Sequence, residues 1–242
     1  SAVARPAFRE RKVGMCGRLN VIDAPILAFL SQFLSDIPEI ESAFNIAPTD
    51  DLWVLHQTPD GAQTSKMRWW LVPSWSKGPQ HKFSMFNARS ETVATSPAFR
   101  DPFKQQRCII PVSGYFEWRK EGARRQPMYF EPDDAEVLLL AGIWDRWRGD
   151  GKTITSCSVV TTQAHRATQS YHHRLPLMLR PDEIDLWMDA ESDIRSVEGL
   201  MTPKLPCKLR VVDVEPTINN AREKNFDAQK PAGPVRLILS DV

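Results

Sequence analysis

No apolar run in this 242-residue chain approaches the roughly 18 residues that a membrane-spanning helix needs. The opening residues also lack an apolar signal-peptide core. The expectation is therefore a soluble, cytoplasmic protein with no membrane partner. The four cysteines, Cys16, Cys108, Cys157 and Cys207, lie far apart and form no C-x-x-C pair. That spacing suggests neither a disulfide framework nor a zinc site, and no metal or cofactor is expected. Neither charge dominates: 31 Lys and Arg face 30 Asp and Glu. No whole-molecule field draws such a chain to nucleic acid, so any basic site must be local.

Proline is plentiful instead. Nineteen prolines, spread from Pro6 to Pro234, argue against long helices, while 42% hydrophobic residues suffice for a substantial core. Residues 1–14, rich in Arg, Ala and Pro without periodicity, read as a flexible leader or an expression remnant, followed by one domain over 15–242. "PILAFLSQF" behind Asp23 has helical spacing, with Asp23 as the expected N-cap. "SKMRWWLVPSW" reads as a strand running to Pro73, and "SETVATSPAF" as a helix broken at Pro97. Two short strands are expected around Pro111 and Gly114. Two longer ones flank "RGDGK" in hairpin fashion, and "LRVVDVEPTI" reads as the last strand. With no internal repeat, the reading is a single α+β domain built on antiparallel strands.

Five polar stretches sit among apolar or turn residues, where burial is costly unless the group is paired or used: "MCGR", "FNARSET", "GYFEWRK", "YHHRLP" and "EPTINN". Cys16 follows Met15, and its side chain is small enough for that methionine to be trimmed, which leaves Cys16 with a free α-amine. Otherwise it is one more buried thiol. Alternation places Glu117 opposite Phe116 and Trp118, either facing solvent or held near aromatic rings as a proton-transfer group. His172 and His173 make either a surface loop or a catalytic pair, and Asn87 is a helix cap or a site residue. Arg18, Arg89, Arg119 and Arg174 recur beside these stretches. They suit phosphate, and Trp75 and Trp118 offer stacking faces for unpaired bases.

Taken in order, "MCGR", "NIAPT", "WWLVPSW", "FNARSET", "RCIIPVSGYFEW", "HHRLPLML" and "INN" resemble the SRAP (SOS response-associated peptidase) domain family, from Cys16 to about Pro231. The resemblance implies a compact domain around a partly closed antiparallel β-barrel with short flanking helices and a positive groove for single-stranded DNA. It also implies capture of abasic sites through an N-terminal Cys16, with Asn87, Glu117 and His172 as catalytic partners. Arg18, Arg89, Arg174, Trp75 and Pro48 are the implied DNA contacts.

An N-terminal cysteine carries both nucleophiles that a ring-opened abasic aldehyde needs: an amine for the imine and a thiol to close a thiazolidine. Two further readings stay open, a thiol-dependent self-processing peptidase and a non-covalent reader of single strands or modified bases. The implied state is a monomer whose partner is abasic single-stranded DNA, nucleoid-associated when bound. Leu175 and Trp70 depart from the family pattern, which often has Met and Gly at those places.

Overall fold

The computed structural model describes residues 17–241, so the leader and Cys16 lie outside the described residues. In chain order the elements are β1 (Leu19–Val21), α1 (Asp23–Leu30), β2 (Ala43–Ile46), β3 (Asp51–Thr58), β4 (Gly61–Arg68), β5 (Asn87–Arg89), α2 (Arg100–Gln105), β6 (Arg107–Val112), β7 (Gly114–Glu121), β8 (Arg124–Pro132), β9 (Leu138–Gly149), β10 (Lys152–Gln163), β11 (Arg174–Pro176), α3 (Ile184–Met188), α4 (Ile194–Gly199), β12 (Leu209–Asp213) and β13 (Arg236–Ile238). Among these, no helix exceeds the eight residues of α1, in keeping with the proline content.

Five strands form a barrel. β3 pairs antiparallel with β4 and β6, and β9 pairs antiparallel with β6 and β10. A parallel bridge from Ser156 to Arg68 then brings β10 against β4, so the ring is closed where partial closure was expected. The reason is strand length: β9 and β10 run for twelve residues each, and each has span enough to serve different neighbours along its course. A second sheet, all antiparallel, runs β13-β12-β8-β7-β1-β2. Leu19, Tyr115 and Phe130 from that sheet share one buried cluster with Leu55, Ile110 and Val160 of the barrel. β6 is buried along its whole length because the barrel covers one face and α3 reaches the other, where Trp187 Nε1 donates to the Cys108 carbonyl (2.9 Å).

Local chemistry explains the agreements and the shifts. The Asp150–Gly151 turn joins β9 to β10 with both residues at positive φ (51° and 69°), the geometry that a two-residue Asp-Gly hairpin demands. Asp23 is the first helical residue of α1, one place after Ile22 at the cap position, and its carboxylate accepts from the Ala24 N–H (2.8 Å). The strand expected to reach Pro73 stops at Arg68, where Trp69 turns inward and donates through Nε1 to the Phe86 carbonyl (2.9 Å). Residues 90–99 form turns, because Ser96 before Pro97 is disfavoured in helical geometry, and α2 starts only at Arg100. β13 follows the strand that the sequence placed last.

Arg107 begins β6 and is buried, its guanidinium donating to the carbonyls of Trp187 (2.6 Å), Phe103 (2.7 Å), Lys104 (2.8 Å) and Asp189. Arg107→Met is expected to destabilise the domain by about 3 kcal/mol, since those buried acceptors lose a charged donor. A urea titration checks this through the transition midpoint.

Candidate functional site

Gly114 opens β7, where a Cβ would meet the Tyr129 hydroxyl at 2.3 Å and the Phe130 carbonyl at 2.5 Å. Only glycine permits this close approach, and three residues on, Glu117 pairs with Met128 in mid-strand. Phe116 and Trp118 pack with Val212, Val214 and Ile218 on one face of the sheet. Glu117 takes the other face, but it is 3% exposed rather than solvent-facing. The turn at 164–173 covers that face, and His172 comes with it: its Nδ1 lies 3.9 Å from Glu117 Oε1. Both residues line a cavity of about 340 Å³ together with Trp118, Tyr171 and His173.

His172 Nδ1 accepts from the Arg174 backbone N–H (3.2 Å), which assigns the ring proton of the neutral imidazole to Nε2. Burial first, and then the neighbouring His173, push the imidazole down to about 4. An NMR titration is expected to find His172 neutral down to about pH 4. The folded state then binds fewer protons than the unfolded chain between the ordinary histidine range and that value. This residue's contribution to stability is accordingly present above about pH 6.5 and is lost as pH falls through the folded value.

β5 and β11 both pair with β10, so Asn87 lies opposite Val159 and Arg174 opposite Gln163. Arg174 is 7% exposed. Its guanidinium grips both Glu91 oxygens and also donates to the Thr161 carbonyl (2.9 Å) and hydroxyl (3.0 Å). The hydrogen bond from Arg174 holds the Glu91 carboxyl below the usual carboxylate range. Arg174 therefore ties the 164–173 turn to the segment after β5. Asn87 is half-buried at the start of β5, and Arg89 is exposed at its end.

Beside Trp118, the Arg18 guanidinium lies 5.5 Å from the ring centre, and burial lowers its pKa. Asn219 meets both residues: its carbonyl accepts from Arg18 Nη2 (3.4 Å) and its Oδ1 from Trp118 Nε1 (2.6 Å). Pro48 is half-buried in the turn between β2 and β3. It precedes Thr49, whose φ of 82° is unusual for a β-branched residue. Trp75 is 63% exposed on the 73–84 loop. Hydrogen bonds from Trp70 Nε1 to the Gln80 carbonyl (2.9 Å) and from Trp147 Nε1 to the Ser76 carbonyl (2.9 Å) pin that loop. Of the expected site residues Glu117 and His172 line the cavity, whereas Asn87, Arg18, Arg89, Arg174, Pro48 and Trp75 do not.

A family model described as "SOS response associated peptidase (SRAP)" matches residues 15–221. The chain belongs to the SRAP family. Among its relatives, "Abasic site processing protein YedK" of Escherichia coli is 30% identical over 183 residues, 73% of this chain and 81% of that protein. "Abasic site processing protein YoqW" of Bacillus subtilis is 26% identical over 218 residues, 87% of this chain and 97% of the relative. Solved structures of proteins from Bordetella bronchiseptica (TM-score 0.71, 21% identity, 83% of this chain and 100% of that one) and Bacteroides thetaiotaomicron (0.67, 24%, 86% and 97%) share the fold.

The SRAP motifs quoted above contain residues whose roles only their partners reveal. Glu91 in "FNARSET" holds Arg174, and Asn219 in "INN" holds Trp118 and Arg18. Asn45 in "NIAPT", at φ 52°, donates to the carbonyls of Ile218 (3.3 Å), Asn220 (3.0 Å) and Glu223 (2.8 Å), strapping the C-terminal segment over β2. The motif matches mark these positions, but the partners lie far away in the chain. Cys108, Cys157 and Cys207 are buried, and burial pushes all three thiols up, that of Cys207 to about 11. Among the described residues no helix is long and apolar enough to cross a membrane, and no three His, Cys, Asp or Glu side chains gather as a metal site.

Proposed function

We propose that this SRAP chain, with Cys16 at its N-terminus, captures abasic sites in single-stranded DNA as a covalent thiazolidine and so shields the lesion. The observation that carries the reading is the buried Glu117 facing a neutral His172 across one cavity, beside the strand that follows Cys16. The Phe116 N–H donates to the Arg18 carbonyl (3.0 Å), which anchors Arg18 beside β7. The names of the YedK and YoqW relatives support the same substrate.

The chemistry balances without an outside oxidant or cofactor. The ring-opened sugar presents an aldehyde, the Cys16 amine adds to it, and loss of water gives an imine. The thiol then adds to the imine carbon and the nitrogen takes up the thiol proton, closing a five-membered ring. Glu117 moves protons during sugar opening and dehydration, His172 polarises the sugar oxygen through its Nε2–H, and Asn87 holds the amine. Arg18, Arg89 and Arg174 are the proposed backbone contacts, Pro48 a strand contact, and Trp75 a stacking surface. Of these arginines, Arg89 is exposed, and Arg174, which Glu91 grips, also holds the His172 turn in place.

The test incubates the purified chain, its start defined by intact mass, with an oligonucleotide carrying one abasic site. A product that survives denaturing electrophoresis supports capture. A complex that forms but falls apart in denaturant supports the non-covalent reader instead.

A further inference from the structure

The hairpin between β7 and β8 carries Arg119, Lys120, Glu121, Arg124 and Arg125 around a Gly-Ala tip. Not all of that charge is neutralised internally. Arg119 binds Glu121 (2.6 Å) and Asp213 (3.2 Å), and Glu121 faces Arg124 across the hairpin. Lys120 and Arg125 stand directly opposite each other in the same register. Both are exposed, and among the described residues neither has an ion pair or a side-chain hydrogen bond. Like charges at directly opposed positions of an antiparallel pair destabilise it. The hairpin thus holds an arrangement that costs stability, and it does so at one particular place. Among the described residues, Lys120 and Arg125 are the two Lys or Arg residues lining the cavity that contains Glu117 and His172, with Gln169 and His173 on the facing turn.

We infer that Lys120 and Arg125 form a phosphate subsite that clamps one phosphodiester of the DNA strand beside the sugar held at Glu117 and His172. The inference rests on the substrate proposed above. An anion between the two cations turns their repulsion into shared attraction, with the Arg125 fork fixing direction and the Lys120 ammonium adding a mobile point charge. Gln169 and His173 supply further donors from the opposite wall. Three residues of strand, about 10 Å, separate Lys120 from Glu117, and alternation puts Lys120 and Arg125 on the Trp118 face, which meets the cavity at its rim. The phosphate therefore stays at the rim, clear of the buried carboxyl, while the sugar reaches inward. The cavity of about 340 Å³ has room for both.

The experiment compares the whole chain with its Lys120→Gln/Arg125→Gln variant. It measures affinity for an undamaged single-stranded oligonucleotide at several salt concentrations, the yield of gel-stable product with an abasic one, and urea stability. The expected result is an affinity about tenfold lower at low salt and a salt slope smaller by about 0.7, the value of one single-strand phosphate contact. The urea midpoint stays the same or rises, since the repulsion has gone. In a series of abasic oligonucleotides with one uncharged methylphosphonate linkage each, one linkage next to the lesion weakens the parent chain and leaves the variant unaffected.

Unchanged affinity and slope in the variant overturn the clamp. So does a loss of affinity that tracks a loss of stability, because that is the mark of a structural role. Tighter binding only to oligonucleotides with a terminal phosphate also overturns it, assigning the pair to strand ends. If the parent chain shows the clamp signature but forms no gel-stable product, the covalent reading fails and the clamp stands. The opposite pattern removes the clamp alone.

Discussion

Replacing Cys16 with alanine is expected to abolish the product that survives denaturing electrophoresis. Alanine keeps the N-terminal amine and loses the thiol, so an imine still forms but has nothing to close it. Borohydride should trap that imine, separating the two nucleophilic steps within one variant. Acetylating the amine removes both products, because an amide nitrogen does not condense with an aldehyde, whereas retaining Met15 ahead of Cys16 removes the thiazolidine and leaves at most an imine on the Met15 amine. Closure is intramolecular, with the thiol on the same residue as the imine nitrogen, and such arrangements reach very high effective concentrations, so the loss should exceed a hundredfold. A covalent yield unchanged in the alanine variant sinks the mechanism.

Glu117→Gln is expected to slow product formation about 10²–10⁴-fold, the range for removing a positioned proton-transfer group. Glutamine has the same shape, and Glu117 is buried against the 164–173 turn, so the variant should keep the fold while losing the ability to take and return a proton. The Michaelis-type dependence on DNA concentration should hold steady, with the fall confined to the rate at saturation. The alternative, that Glu117 only positions the turn, predicts a lower thermal midpoint and weaker binding together with the slower rate. A variant that reacts at the parent rate removes Glu117 from the chemistry. Reversal is a second readout: if the carboxyl also serves ring opening of the adduct, the variant's residual product should release its DNA more slowly than the parent's.

Much of the strand pattern was legible because the governing interactions are local. The Asp150–Gly151 dipeptide specifies its hairpin through positive φ at both residues, and the prolines limit helix length through missing donors and clashes. Local reasoning misjudged the places where distant groups intervene. The strand before Pro73 ends early because Trp69 finds its partner at Phe86 across a turn. Glu117 looked as suited to solvent as to a pocket, since alternation assigns a face but not what covers it.

The candidate site divides the same way. The stretches containing Cys16, Asn87, Glu117 and His172 stand out as polar groups in apolar surroundings, and their order matches one family over residues 15–221. The partners of those stretches do not stand out, because the contacts are long in sequence: 83 residues from Glu91 to Arg174 and 101 from Trp118 to Asn219. Likewise the sequence shows the hairpin's charges but not that Lys120 and Arg125 open onto the Glu117 cavity.

From the sequence alone come the family, the strand-and-turn vocabulary and the chemical types at the site. Those are properties of single residues and short windows, determined by backbone preferences and side-chain chemistry. Only the tertiary structure decided that the barrel closes through β4 and β10, that Arg174 is held by Glu91, and that His172 stays neutral beside Glu117. Each of those depends on which remote surfaces exclude water from one another, and burial of that kind belongs to the folded chain as a whole.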